Sequence, residues 1–366
     1  MPQCVVLYIY IFPIYCYNDC VLNKIFIFRF YILQSQWKQF EVYANDSRFA
    51  SVVRELPFIV ESSKSKSTIQ KYKCYFNKFQ NWCNSHSIQS LPASSTTVSL
   101  YIGGLIQQGT SVTILESSFY AIKWYHDFNF ENNPCSNKIL SLILEGGKRL
   151  LSKPVCKKDP ITPDILRLII QRFGDKRDLS KLRVCSLFLL GFSGFLRYNE
   201  LSNIKMNNLE FHDTYLKLVI EKSKTDIYRR GSSVIIAKTG NDLCPIFWLK
   251  AYIESAGLAL NTDSYIFRSI SLLKSKGIYK LCDRNVPLSY TRAREILLNS
   301  LEEVGLDKSR FGLHSLRSGG ATTGANRGIS DRLIKIHGRW VTDRAKDGYI
   351  KDSVESQMAV SLNLGI

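Results

Sequence analysis

Apolar residues recur at helical spacing through much of this chain. In STIQKYKCYFNKFQNWC, Ile69, Tyr72, Phe76, Phe79 and Cys83 fall in steps of three or four, which puts them on one helical face. Ser67 stands near the start as a capping hydroxyl. TTVSLYIGGLIQQG predicts a shorter apolar helix ending at Gly109, and TILESSFYAIKWYHDF a third helix. SNKILSLILEGGKRLL predicts a fourth, after Pro134. Residues 61–150 therefore read as a small helical domain. LSKPVCKKDPITP, residues 151–163, carries prolines and lysines without a helical period and reads as a linker.

From 164 to 352 the pattern is mixed. DILRLIIQRF and LSKLRVCSLFLLGFSGF predict helices, with Cys185 on an apolar face. YLKLVIEK and SSVIIAK alternate with period two around SKTDIYRRG, which predicts a hairpin. Helical patterns return in PIFWLKAYIESAG, SYTRAREILLNSLEEVG, HSLRSGGATTGANRG and SDRLIKIHG. The expected fold class is mainly α with a small antiparallel β-sheet, and no internal repeat is visible.

Residues 1–60 differ from the rest. The first thirty-odd are aromatic and β-branched, without the basic start and small-residue cleavage site of a signal peptide. A membrane helix needs about 20 uninterrupted apolar residues, and Pro13, Asn18 and Asp19 interrupt this run. The expectation is a poorly structured extension, or a start site placed too far upstream, and no membrane partner.

Composition narrows the partners. Lys and Arg total 49 against 31 Asp and Glu, a formal charge of +18. A surplus of that size favours a polyanion, most often nucleic acid. The hydrophobic content of 45% is enough for packed cores and excludes a disordered basic tail. The ten cysteines show no CxxC pair and no zinc spacing; Cys16 and Cys20 are the closest two. They read as reduced thiols in a cytosolic or nuclear protein.

The C-terminal part carries chemistry suited to phosphate. His314 and Arg317 stand three apart in GLHSLRSGGATTGANRG. Trp340 follows in IHGRW, and Tyr349 comes nine residues after it in VTDRAKDGYI. Arg197 lies upstream in GFSGFLRYNELSNIK. Attack on a phosphodiester passes through a pentacoordinate phosphorus with extra negative charge on its oxygens, and the planar fork of arginine binds such oxygens two at a time. Convergent arginines can replace the metal ions of many nucleases, and no dense carboxylate cluster for two metals is present. Taken singly these residues are ordinary. One Tyr among 19 near a C-terminus is usually a packing residue, His-x-x-Arg is common, and Trp340 alone would be core. His337 reads as a bystander on the helix before Trp340.

In this order and spacing the set resembles the tyrosine recombinase (phage integrase) family. The wording of GFSGFLRYNELSNIK and HSLRSGGATTGANRG…GRW is most similar to recombinases of eukaryotic mobile elements of the Crypton and DIRS type. The resemblance implies a recombinase catalytic fold over 164–352, preceded by a helical core-binding domain. It implies that Arg197, His314, Arg317 and Trp340 cradle the scissile phosphate, that Glu200 steadies Arg197, and that Tyr349 is the nucleophile of a 3′-phosphotyrosine. Lys224 in KSKTD matches the hairpin general acid, with Lys222 as its near rival. Lys71, Lys73, Lys78 and Lys123 are candidate contacts to the DNA backbone, though for each a solvated surface lysine is the plainer reading; Arg229 and Arg230 in YRRG read as backbone-contacting or solvated and not as catalytic. The resemblance further implies double-stranded DNA as partner, a homotetramer on two sites, no cofactor or metal, and a nuclear location. The tail, 353–366, contains a helix suited to docking on a neighbouring protomer. Two rivals share the resemblance: an element-derived DNA-binding protein without catalysis, and a type IB topoisomerase.

Overall fold

The computed structural model describes residues 36–129, 132–154, 156–221, 226, 228, 231–275 and 277–365. The chain divides into two compact units, Met1–Val155 and Cys156–Ile366.

The first unit is helical. A single 3-10 turn, Gln36–Phe40, leads into α1 (Glu41–Ala44) and α2 (Ala50–Glu61). These lie in the segment for which the sequence suggests no regular structure. The difference is physical: α2 buries only Val53 and carries Pro57 inside the helix, a residue that argues against helix when read from sequence. Then come α3 (Lys66–Ser85), α4 (Ser95–Gln107), α5 (Val112–Asn129) and α6 (Lys138–Leu151). The cap of α3 is Ser65, whose hydroxyl accepts from the Thr68 N–H at 3.2 Å; Ser67, expected in that role, lies inside the helix. Ser94 and Asn137 cap α4 and α6 in the same way. Phe76, Phe79 and Cys83 of α3 are buried against Val98 and Ile102 of α4, Leu115 and Ile122 of α5, and Leu140 of α6. Ile69 and Tyr72, at the start of the same stripe, are half-buried. Lys71, Lys73 and Lys78 are exposed and Lys123 is half-buried.

The second unit starts before its first helix. Asp159 N–H donates to the Arg310 carbonyl at 2.8 Å, and Ile161 N–H to that of Ser315 at 2.9 Å. Ile161 is completely buried. The second half of the expected linker is thus pinned into this unit. Thr162 caps α7 (Pro163–Phe173), with proline at the first helical position, where no N–H is needed. α8 (Leu179–Ser193) is apolar on all sides because it is the central helix, packed by α7, α10 (Pro245–Ser255) and α12 (His314–Asn326). Cys185 lies in its core, where burial pushes the thiol up to about 12. After α9 (Tyr198–Ser202) comes the antiparallel sheet β1 (Leu209–Phe211), β2 (Tyr215–Ile220), β3 (Ser232–Ala237). Leu216 faces Ile236 and Leu218 faces Val234, all four buried, as the expected alternation requires. The turn between β2 and β3 holds Lys222, Lys224, Arg229 and Arg230, which lie outside the described residues.

A second hairpin, β4 (Ile270–Leu273) with β5 (Ile278–Leu281), buries only Leu281, so no alternation announced it. The unit closes with α11 (Tyr290–Glu303), α12, α13 (Asp331–Gly338), α14 (Asp343–Asp347) and α15 (Val354–Leu362). The fold is mainly helical with small antiparallel sheets. Among the described residues no helix is long and apolar enough to cross a membrane.

One buried histidine in the first unit sets a pH limit. His126 Nε2 accepts the buried Ala93 N–H at 2.9 Å, and Nδ1 meets the Ile122 carbonyl at 2.8 Å, which selects the neutral ring protonated at Nδ1. Burial pushes this imidazole below its ordinary value. Its contribution is therefore complete above about pH 6.5 and lost as pH falls through the lower folded value. His126→Leu strands the Ala93 N–H, at a cost of about 1–3 kcal/mol at neutral pH, and removes this part of the acid lability. Thermal melts of both chains between neutral and mildly acidic pH check it; equal acid slopes would refute it.

Candidate active site

Three turns of chain converge on one carboxylate. α8 ends at Ser193, and the chain reverses through Gly194 and Phe195, the latter at φ 47°. Arg197 follows in extended conformation as the N-cap of α9. Glu200, three residues on, accepts the Arg197 backbone N–H at 2.9 Å and its Nη1 at 2.7 Å. A carboxylate in the first helical turn also suits the positive end of the helix.

α12 carries His314 and Arg317 one turn apart, on one face. Arg317 has no exposed surface at all. Its Nη1 donates to the Phe195 carbonyl and its Nη2 to that of Gly338 at 2.6 Å. Gly320 permits this approach, since a Cβ there would meet the Phe192 carbonyl and the Phe195 ring.

α13 ends in HGRW. A Cβ on Gly338 would fall inside the Trp340 ring, so only glycine lets the indole fold back. The Arg317 guanidinium lies 4.3 Å from the Trp340 ring centre and 5.0 Å from that of Tyr349. The Tyr349 ring is 5.4 Å from Trp340 and 6.1 Å from His314. The Thr322 hydroxyl, on α12, accepts from the Lys351 N–H at 3.1 Å and donates to the Tyr349 carbonyl at 3.4 Å. Lys346 of α14 is buried on Asp331 at 2.8 Å and Asp347 at 3.3 Å, which holds the turn just before the tyrosine.

Arg197, Glu200, His314, Arg317, Trp340 and Tyr349, far apart in sequence, are thus brought to one place. Lys224, Arg229 and Arg230 lie outside the described residues. Sequence reasoning missed Arg339, whose Nη2 pairs with Glu200 at 2.6 Å. It also undervalued His337. Burial pushes that imidazole down, its Nε2 meets the Ser193 carbonyl at 2.7 Å, and its ring stands edge-on to Phe195 at 4.6 Å. It ties α13 to the end of α8.

The electrostatics are one-sided. Glu200 faces Arg197 at 2.7 Å, Arg339 at 2.6 Å and Arg317 at 3.7 Å, three cations against one anion. Burial alone would raise its carboxyl, but Arg339 and Arg197 outweigh burial and hold it below the ordinary value. Burial and then Arg197 push Arg317 down to about 9, which leaves it charged at neutral pH. Among the described residues, Nε of Arg317, Nε of Arg339 and Nε1 of Trp340 are buried N–H donors with no acceptor. A cluster of fixed donors with surplus positive charge suits a tetrahedral oxyanion whose charge grows during reaction. Phe195 and Arg339 are both left-handed without being glycine, a strain of about 1–2 kcal/mol each.

Glu200→Gln leaves three arginines without their anion. We expect a loss of about 3–5 kcal/mol, the scale for breaking a buried ion pair. Because the Glu200 carboxyl is held low, its contribution is complete above about pH 4.5 and lost as pH falls through the lower folded value. The variant lacks that acid limb; melts of both chains from neutral pH downward show whether it does.

Residues 161–354 match the sequence profile of the phage integrase family. The chain is 28% identical over 296 residues to an integrase/recombinase XerD homologue of Selenomonas ruminantium, covering 80% of this chain and 83% of that one. The solved structure of the XerH site-specific recombinase on its palindromic difH substrate aligns with a TM-score of 0.55 at 14% identity, over 94% of this chain and 89% of the other. A lambda integrase tetramer on a Holliday junction aligns with 0.51 at 16%, over 83% and 77%. At these identities the structures speak for the fold, and the profile, which spans more than half of the chain, for the family. The chain belongs to the phage integrase family and is a tyrosine-type site-specific recombinase.

Proposed function

We propose that this recombinase cuts and rejoins double-stranded DNA through a 3′-phosphotyrosine on Tyr349. The carrying observation is the Tyr349 ring held against Arg317, Trp340 and His314 in a cluster with surplus positive charge. The phenol oxygen attacks the scissile phosphorus, a P–O bond to tyrosine forms, and the bond to the 5′ oxygen breaks. Arg197 and Arg317 neutralise the non-bridging oxygens, and Trp340 and His314 donate beside them. A 5′-hydroxyl from another strand then displaces the tyrosine, so the phosphodiester energy is conserved. The arginines supply the charge for which other nucleases use metal ions.

The finer setting is also part of the proposal. Lys224, two residues from Lys222, protonates the leaving 5′ oxygen from the β2–β3 turn. Lys71, Lys73 and Lys78, exposed on α3, with Lys123, contact DNA phosphates from the helical unit, and Arg229 and Arg230 do so from the turn. Four protomers act on two sites. α15 supports this, since no residue of it is buried and Val354, Met358, Val360 and Leu362 are exposed, as on a docking helix. The lambda integrase that shares this fold was captured as a tetramer on a Holliday junction. The wording around Arg197 and Trp340 supports a eukaryotic mobile element of the Crypton or DIRS type acting on nuclear DNA.

A nicked target duplex that traps the covalent step tests the core of this reading. Wild type should give a denaturant-resistant adduct that survives excess EDTA, and Tyr349→Phe should give none. Arg197→Ala or Arg317→Ala should slow adduct formation by about 10²–10³-fold, or about 3–4 kcal/mol, with a smaller effect on binding. An adduct from Tyr349→Phe, or strict magnesium dependence, would refute it. A duplex with a bridging 5′ sulfur needs no acid. Lys224→Ala should cleave it nearly normally and ordinary DNA poorly, and Lys222→Ala should match wild type on both. Rescue of Lys222→Ala instead would move the acid to Lys222.

A further inference from the structure

The end of α13 is a Schellman turn with an arginine where glycine is the rule. Trp340 N–H closes on the Lys335 carbonyl at 3.1 Å and Arg339 N–H on that of Ile336 at 3.0 Å. Arg339, at φ 57°, is the left-handed residue. Glycine would take that position freely. The sequence places a glycine one residue too early for the purpose, at Gly338, where it is required by the Trp340 ring. A strained arginine in a glycine position calls for a reason outside the turn.

Its side chain supplies one. It is 8% exposed, and its donors span two segments. Nη2 meets Glu200 at 2.6 Å and the Phe195 carbonyl at 3.3 Å, and Nη1 meets the carbonyls of Gly194 at 3.1 Å and His337 at 2.8 Å. Glu200 Oε2 takes Arg339, while Oε1 takes Arg197. Phe195 also receives Arg317. Arg339 therefore shares Glu200 with Arg197 and the Phe195 carbonyl with Arg317, and is joined by one peptide bond to Trp340.

We propose that Arg339 is a positioning residue for strand cleavage. Through Glu200 and the Phe195 carbonyl it fixes the headings of Arg197 and Arg317, and through its own backbone it fixes Trp340. It adds a third permanent positive charge behind the phosphate seat. This inference rests on the covalent reading above.

The trapping assay tests it, with the rate at saturating DNA read separately from the half-saturating concentration. Arg339→Gly keeps the turn and removes the guanidinium. The expected result is a cooperative melt, near-normal half-saturation, and a maximal rate of adduct formation lower by about 10²-fold, the scale for a small misplacement of reacting groups. Added methylguanidinium should restore part of that rate, and Arg339→Lys, which keeps the charge without the fork, should fall between. A wild-type maximal rate in Arg339→Gly overturns the proposal. So does a loss confined to half-saturation, or one that methylguanidinium leaves untouched. If Arg339→Gly fails to fold, Arg339→Lys decides: a wild-type rate overturns the proposal, and a reduced rate with normal half-saturation upholds it. Tyr349→Phe runs alongside. An adduct from that variant sinks the covalent reading itself, whereas its silence with an unimpaired Arg339→Gly sinks only the role of Arg339.

Discussion

The Glu200 carboxylate, surrounded by three guanidinium groups, organises the catalytic unit. It is 4% exposed, and a lone buried carboxylate would be costly. Arg197 and Arg339 bind one oxygen each, and Arg317 stands just beyond. The three arginines come from the α8–α9 turn, the end of α13 and the face of α12, so the single anion determines how these elements meet. The surrounding packing serves that meeting, with Gly320 letting α12 close on α8 and His337 binding α13 to Ser193.

The same arrangement is incomplete as an ion network. Two positive charges remain beyond what Glu200 balances, and buried N–H groups of Arg317 and Trp340 have no acceptor among the described residues. An apolar replacement would be the better choice for stability alone. Surplus charge beside donors without an acceptor suits an anion, and in this cluster both stand beside Tyr349.

Much of this was legible from sequence because it is local. His314 and Arg317 are one turn apart, Glu200 is three residues from Arg197, and the strand alternation of β2 and β3 follows from one buried face. Arg339 was hidden because Gly338 looked like the helix stop, while the left-handed residue is the next one. Ile161 was hidden because a buried extended strap has no period. The helix at 50–61 carries a proline that argues against it, and the β4–β5 hairpin buries too little to leave a pattern. The β2–β3 turn, with Lys224, is where the sequence offers most beyond the described residues.

Asp159 joins the start of the catalytic unit to the segment that follows Tyr349. Its carboxylate holds Arg310 at 2.5 Å and Lys351 at 2.9 Å, so the strap that opens the unit and the segment that leaves it after Tyr349 share one anchor. The strap before α7 and the segment just after Tyr349 therefore meet at a single point. Losing that one carboxylate would therefore loosen both flanks at once, the strap before α7 and the segment just after the tyrosine.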